Sequence, residues 1–333
     1  KLDYTLLLFI PGMRPHDLFD PARKPQLKLY VRRIFITDRC DDLVPAWLRF
    51  LRGVVDSADL PLNISREMLQ QDPAIETMKT GLARRVLDML AKMAKDEPEK
   101  YASFWKEFGT VMKEGPAEDH ANRERIAKLL RFSSTLADKP EADVSLEDYV
   151  GRMKEGQKEI YYVIADSFGA AKSSPHLEVL RKKGIEVLLL SDRVDEWLVD
   201  HLREFDGKQL KNVARGELDF SAIQSEEEKK AQEELSQGHK DLVERVKKAL
   251  SEQVSDVRVT ARLADSPACL VLGQYDMGAQ MRRIMEAAGQ KAPVSKPTLE
   301  VNPNHPLLQR MEKTAEDAEF NDLSMLLFEQ ATL

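Results

Sequence analysis

A multidomain α/β (α+β) fold is what the sequence predicts, on three observations. Its 333 residues are about twice the ~150-residue length of a single domain. Apolar residues switch repeatedly between strand-like runs, as over 4–10, and helical spacing, as at Ile75, Met78, Leu82 and Val86. Residues 159–191 read strand, helix, strand and close on the nearly all-apolar IEVLLLS, which suits a parallel strand buried on both faces.

Taken in order, residues 3–10 and 27–37 (LKLYVRRIFIT) read as strands by their β-branched and aromatic content. Gly12, Pro15, Asp20, Pro21 and Pro25 fill the loop between them. Pro45 opens a short helix, AWLRFL, that Gly53 closes, and VVD over 54–56 is a third strand. The stretch 59–71, DLPLNISREMLQQ, reads as a loop entering a turn of helix. Asp72 as N-cap and Pro73 at the first helical position start a helix with Ile75, Met78, Leu82, Val86, Met89 and Met93 on one face. Helices follow over 98–108, with Tyr101, Phe104, Trp105 and Phe108 as a core face, and over 122–132. The polar SSTLADKPEADV marks a subdomain boundary near 135–145, and Ser145 with Asp148 forms a capping box.

Beyond the strand-helix-strand unit come a helix over 193–205 and a linker with a small strand. A charged helix follows, capped by Ser225 and Glu228 and interrupted at Gly238. Residues 256–263 alternate as a strand that pairs with 268–273 across the turn 265–267. Helices after Gly278 and Asn304 and over 317–333 complete the chain. The main boundary falls near 217. The first domain, 1–217, then has a large α/β part to about 110, a helical segment over about 111–145 and a small βαβ part over about 146–217; the second covers 218–333.

Charge and motifs exclude much. Fifty-seven acidic against 50 basic residues, well mixed, give a net charge of −7, so neither a nucleic-acid nor a membrane surface is expected. Cys40 and Cys269 form no disulfide framework and no metal spacing, which points to reduced thiols and a cytoplasmic protein. No run approaches the ~18 apolar residues of a membrane span. The six histidines stand singly, so no metal site is expected, and DSFGAAKSS after the first βαβ strand lacks a phosphate cradle. The absent initial methionine and the apolar pattern at the end lead us to expect a piece of a longer protein.

Three sets of residues are candidates for function. Arg66 and Gln70 are four apart on one helical turn, where a guanidinium fork and an amide can reach one phosphate; alternatively Arg66 pairs on the surface with Glu67. Trp197 is either a core tryptophan or an exposed anchor for a partner. Met277, Met281, Ile284, Met285 and Ala288 form a stripe that is either core or an adaptable binding surface.

Long stretches carry a resemblance. LKLYVRRIFITD, WLRFLRGVVDSADLPLNISREMLQQ, KYASFWKEFG, IAKLLRFSST, SLEDYVGRMKEGQKEIYY and AAKSSPHLEVLRKKGIEVLLLSDRVDEW resemble the middle domain of the heat-shock protein 90 chaperones, the bacterial branch most of all. VRVTARLADSPACL and YDMGAQMRRIMEA resemble that family's C-terminal domain. The resemblance implies an ATP-driven homodimeric chaperone whose nucleotide, ATP with Mg, is bound mainly by a separate N-terminal ATPase domain. It implies that Arg66, and with it Gln70, reaches the γ-phosphate, and that Phe35 contacts the N-terminal domain, plain core being its other role. It also implies that Trp197, Met277, Met281 and Met285 meet incompletely folded client proteins, and that the C-terminal helices make the dimer. This chain alone is then expected neither to bind ATP tightly nor to hydrolyse it. The competing expectation is a non-catalytic interaction scaffold without nucleotide coupling.

Overall fold

The structure, a computed structural model, describes residues 3–20, 26–38, 40–61, 72–137, 139–218, 226–291, 293 and 295–332. It is α+β throughout, with several helices and three mixed sheets. The chain divides into two compact units, residues 1–132, 141–147 and 197–205 in one and 133–140, 148–196 and 206–333 in the other.

The first unit is built on a four-stranded sheet ordered β1-β4-β2-β3, from β1 (Tyr4–Phe9), β2 (Gln26–Val31), β3 (Ile34–Thr37) and β4 (Arg52–Ser57). β4 lies antiparallel to β1 and parallel to β2. The run 27–37 is therefore two strands, not one. It folds at Arg32 and Arg33, both at positive φ, the conformation that a two-residue hairpin requires. That conformation is costly for arginine, and hydrogen bonds offset it: Arg32 donates its amide to Ser57 O (3.0 Å) and its Nε to Ala58 O (3.1 Å), and Arg33 N donates to Asp56 Oδ1 (3.1 Å).

Gly53 closes no helix. AWLRFL forms only a 3₁₀ turn at Ala46–Leu48, because Trp47, Leu48, Phe50 and Leu51 all enter the core and the chain then turns into β4. Gly53 lies inside β4, where any Cβ would collide with the Leu7 carbonyl of β1. The helix Pro73–Asp96 starts as its cap predicts, Asp72 accepting from Ala74 N at 2.8 Å. It buries Ile75, Met78, Leu82 and Val86, but its buried face then rotates toward Leu87 and Leu90 and leaves Met89 exposed. The helix Pro98–Met112 packs on it with Tyr101, Phe104, Trp105 and Phe108 buried, and Phe50 meets Phe104 edge-on at 5.7 Å.

In the second unit, β5 (Ser133–Ser134), β6 (Glu159–Ile164) and β7 (Leu188–Leu190) form a sheet with Lys208–Asn212. The strand between β7 and that segment, Glu204–Phe205, is β8, so Lys208–Asn212 is β9 and the order runs β5-β7-β6-β9. β6 is parallel to both β7 and β9, and all three β7 residues are buried, as the apolar run requires. A second sheet comprises β10 (Asp256–Val259), β11 (Ala268–Val271) and β12 (Thr298–Val301), ordered β10-β12-β11.

The expected hairpin of 256–263 with 268–273 does not form. β12 lies between the two strands, pairing Leu299 with Val257 on one side and Leu270 on the other, and its buried Leu299 and Val301 need a neighbour at each edge. Leu242, Val246, Leu250, Leu308, Met311, Phe320 and Leu327 cover this sheet. Part of the apolar face of the helix Asp317–Thr332 is thus covered within the chain, while Leu326 stays exposed. Among the described residues no helix is long and apolar enough to cross a membrane.

Candidate functional site

Arg66 and Gln70 lie outside the described residues, but the two ends of their segment are fixed. At its start the Ser57 hydroxyl accepts from the amides of Asp59 (3.3 Å) and Leu60 (3.4 Å), Asp3 N donates to Asp59 Oδ2 at 2.6 Å, and Leu60 is buried. At its end Asp72 caps the Pro73 helix. The Arg32–Arg33 turn is tied to the same strand end through Ser57 and Ala58.

Phe35, on β3 at the edge of this sheet, is 52% exposed and stands edge-on to Tyr30 at 5.6 Å; its neighbour Ile34 is equally open. It is therefore a surface residue, not core. Trp197 belongs to the same unit, on the helix Asp195–His201, which is shorter than the spacing predicts. Leu198 and Leu202 turn inward, whereas Trp197 is 46% exposed with its ring 4.5 Å from that of His201. The His201 ring in turn bonds the Trp197 carbonyl through Nδ1 at 2.8 Å, which orders the pair.

The methionine stripe lies in the second unit, on and before the helix Ala279–Ala287. Met277, Met281 and Met285 are half-buried. Ile284 is 60% exposed, and Tyr275 is almost fully open. Sequence reasoning missed Tyr275, whose only signal was an aromatic residue inside the turn-forming GQYDMG.

It also missed a buried ionic group in this unit. Arg262 and Glu300 are 3% and 2% exposed, with Nε and Oε2 3.0 Å apart. Arg258 donates to Glu300 Oε1 from Nε (3.0 Å) and from a terminal nitrogen (2.7 Å). Arg262 donates further to the carbonyls of Val213 and Gly216 and approaches His176 Nδ1 at 3.4 Å. Burial, then the neighbouring Arg262, lowers the His176 pKa to about 3, so His176 is neutral. Burial also pushes the Cys269 thiol up to about 12, with Glu300 adding to it, which makes this cysteine inert as a nucleophile. Beside the group, Glu178 accepts from the amides of Ala264 (2.6 Å), Asp265 (2.8 Å) and Ser266 (3.2 Å) and from the Ser266 hydroxyl. Burial opposes its charge, but these donors prevail and hold the carboxyl below the usual range. No spacing in the sequence signals these contacts, because the partners lie 38 to 88 positions apart.

Fold and site thus define a two-unit α+β protein that leaves large apolar side chains, Phe35 and Ile34 in one unit and Tyr275 and Ile284 in the other, on its surface. The model of the family described as Hsp90 protein matches residues 1–333, the whole chain. The chain belongs to the Hsp90 family, and so to the molecular chaperones of the stress response.

Proposed function

We propose that the chain is the middle and C-terminal part, about 1–217 and 218–333, of a cytoplasmic chaperone of the bacterial, HtpG-type, branch. Its cycle is driven by ATP bound mainly in an N-terminal ATPase domain. Arg66, with Gln70 beside it, contacts the γ-phosphate there, and Phe35 meets that domain. Incompletely folded clients bind Trp197, Met277, Met281 and Met285, and the C-terminal helices pair two copies.

The observation that carries this reading is the whole-length family match, taken with the fixed ends of the Arg66 segment and an exposed Phe35 on the edge strand of the same sheet. Phosphoryl transfer depends on charged groups brought to the phosphate in a set geometry, which is the role we assign to Arg66. The first turn of the βαβ unit does not suit a nucleotide. Ser167 already accepts from Ala170 N at 3.2 Å there, and the neighbouring Asp166 adds a carboxylate, which repels a phosphate. This fits ATP being held by another domain.

The test is steady-state ATP hydrolysis by this chain joined to its N-terminal ATPase domain, Arg66→Ala against the parent. Unchanged ATP affinity with a severalfold or larger fall in turnover is expected. Equal turnover removes Arg66 from the reaction and favours a scaffold without nucleotide coupling.

A further inference from the structure

The helix Ala279–Ala287 is not held in place by apolar burial. None of its described side chains is buried, Met281 and Met285 are only half-covered, and it belongs to neither of the unit's two main apolar clusters. Two carboxylates from the preceding α/β segment fasten it instead. Glu196 Oε2 accepts from Met281 N at 3.0 Å, capping the helix from 85 residues away, since its own N-cap residue, Gly278, has no side chain to do so. Gly278 is buried against the Glu196 carboxylate and the Arg215 guanidinium, and a Cβ there would collide with both. One turn further on, Arg283 makes a two-pronged pair with Asp166, at 3.1 and 2.9 Å. That pair holds the Asp166 carboxyl below its usual range and raises Arg283.

We propose that Glu196 and Asp166 form a polar latch on the methionine-bearing helix Ala279–Ala287, and that opening this latch releases the helix to bind unfolded polypeptide. The proposal rests on the client reading above and adds the control of that surface. Helices docked by apolar burial come free only with loss of their core. One docked through half-covered side chains, a cap and an exposed ion pair separates at smaller cost and leaves the rest of the unit folded. On release, the thioether side chains of Met281 and Met285 become fully available to apolar residues of varied shape.

Amide hydrogen exchange on the intact chain tests the latch without a client. Relative to the parent, exchange over 281–285 is expected to rise about fivefold in Glu196→Ala, the usual cost of a lost cap. It rises about twofold in Asp166→Asn, the value of an exposed pair, and about tenfold in the double variant. Exchange in β10–β12 stays unchanged. High salt raises the parent's rate through the screened pair, but not that of Asp166→Asn. A reduced, carboxymethylated polypeptide that stays unfolded is the binding probe, and its affinity is expected to tighten by the same factors as the competent state is populated. Parental exchange in the double variant would overturn the latch. Faster exchange with unaltered or weaker probe affinity would overturn its coupling to binding. Parental probe affinity in Met281→Ser/Met285→Ser would overturn the client reading alone, while the exchange data still decide the latch.

Discussion

Replacing Glu300 by leucine removes the one carboxylate that faces both Arg258 and Arg262. Arg262, 3% exposed, is then left with the carbonyls of Val213 and Gly216 as acceptors and a neutral His176 beside it. At 3.0 Å and an effective dielectric of ~20, the lost attraction is about 5 kcal/mol. Breaking one side of a buried pair costs about 3–5 kcal/mol in measured cases, in line with that figure. Replacing both partners by apolar groups is close to neutral, so Arg262→Met/Glu300→Leu is expected to recover most of the loss.

The assay is urea unfolding followed by far-UV circular dichroism. Glu300→Leu should move the unfolding transition to lower urea. A shift worth less than about 1 kcal/mol, or a double variant less stable than the single one, would refute this account of the group.

Two further predictions concern the same unit. The Tyr149 hydroxyl donates to Glu186 O (2.7 Å) and accepts from Tyr161 N (2.9 Å) and Gln157 Nε2 (3.0 Å), so Tyr149→Phe strands three buried partners. It should cost about 2 kcal/mol in the same urea assay, and a value near zero would mean that water replaces the hydroxyl. His176 titrates near 6.5 when unfolded and near 3 when folded, so between these values the unfolded chain carries the extra proton. Stability is full above pH 6.5 and falls as the pH drops toward 3, by up to about 1.4 kcal/mol per unit. His176→Gln should flatten that slope, and identical slopes from pH 7.5 to 4.5 would count against the buried neutral state.

Sequence alone determined what depends on near neighbours. The Asp72-Pro73 start, the aromatic face of 98–112, the buried parallel strand over 188–190 and the positions of the terminal helices all follow from periodicity and capping, which act within a few residues. It also determined the family, through long motifs spread over the whole length, and it singled out Trp197 and the methionines as residues worth following.

Tertiary structure decided what depends on partners far away in the chain. Gly53 reads as a helix terminator until β1 is laid against it. A run of strand-forming residues reads as one strand until Arg32 and Arg33 are bent back and tied to Ser57 and Ala58. Residues 256–263 and 268–273 look like a hairpin because the strand that separates them is formed by 298–301. Exposure belongs with these, since one amphipathic stripe serves a core or a surface equally well and only the neighbours supplied by the fold decide which. Trp197 came out half-open for that reason. The Glu300 group, the Glu178 clamp and the Glu196 cap were invisible beforehand, because a carboxylate in a sequence of 57 acidic residues means nothing until folding removes the water around it and leaves a guanidinium or an amide in its place.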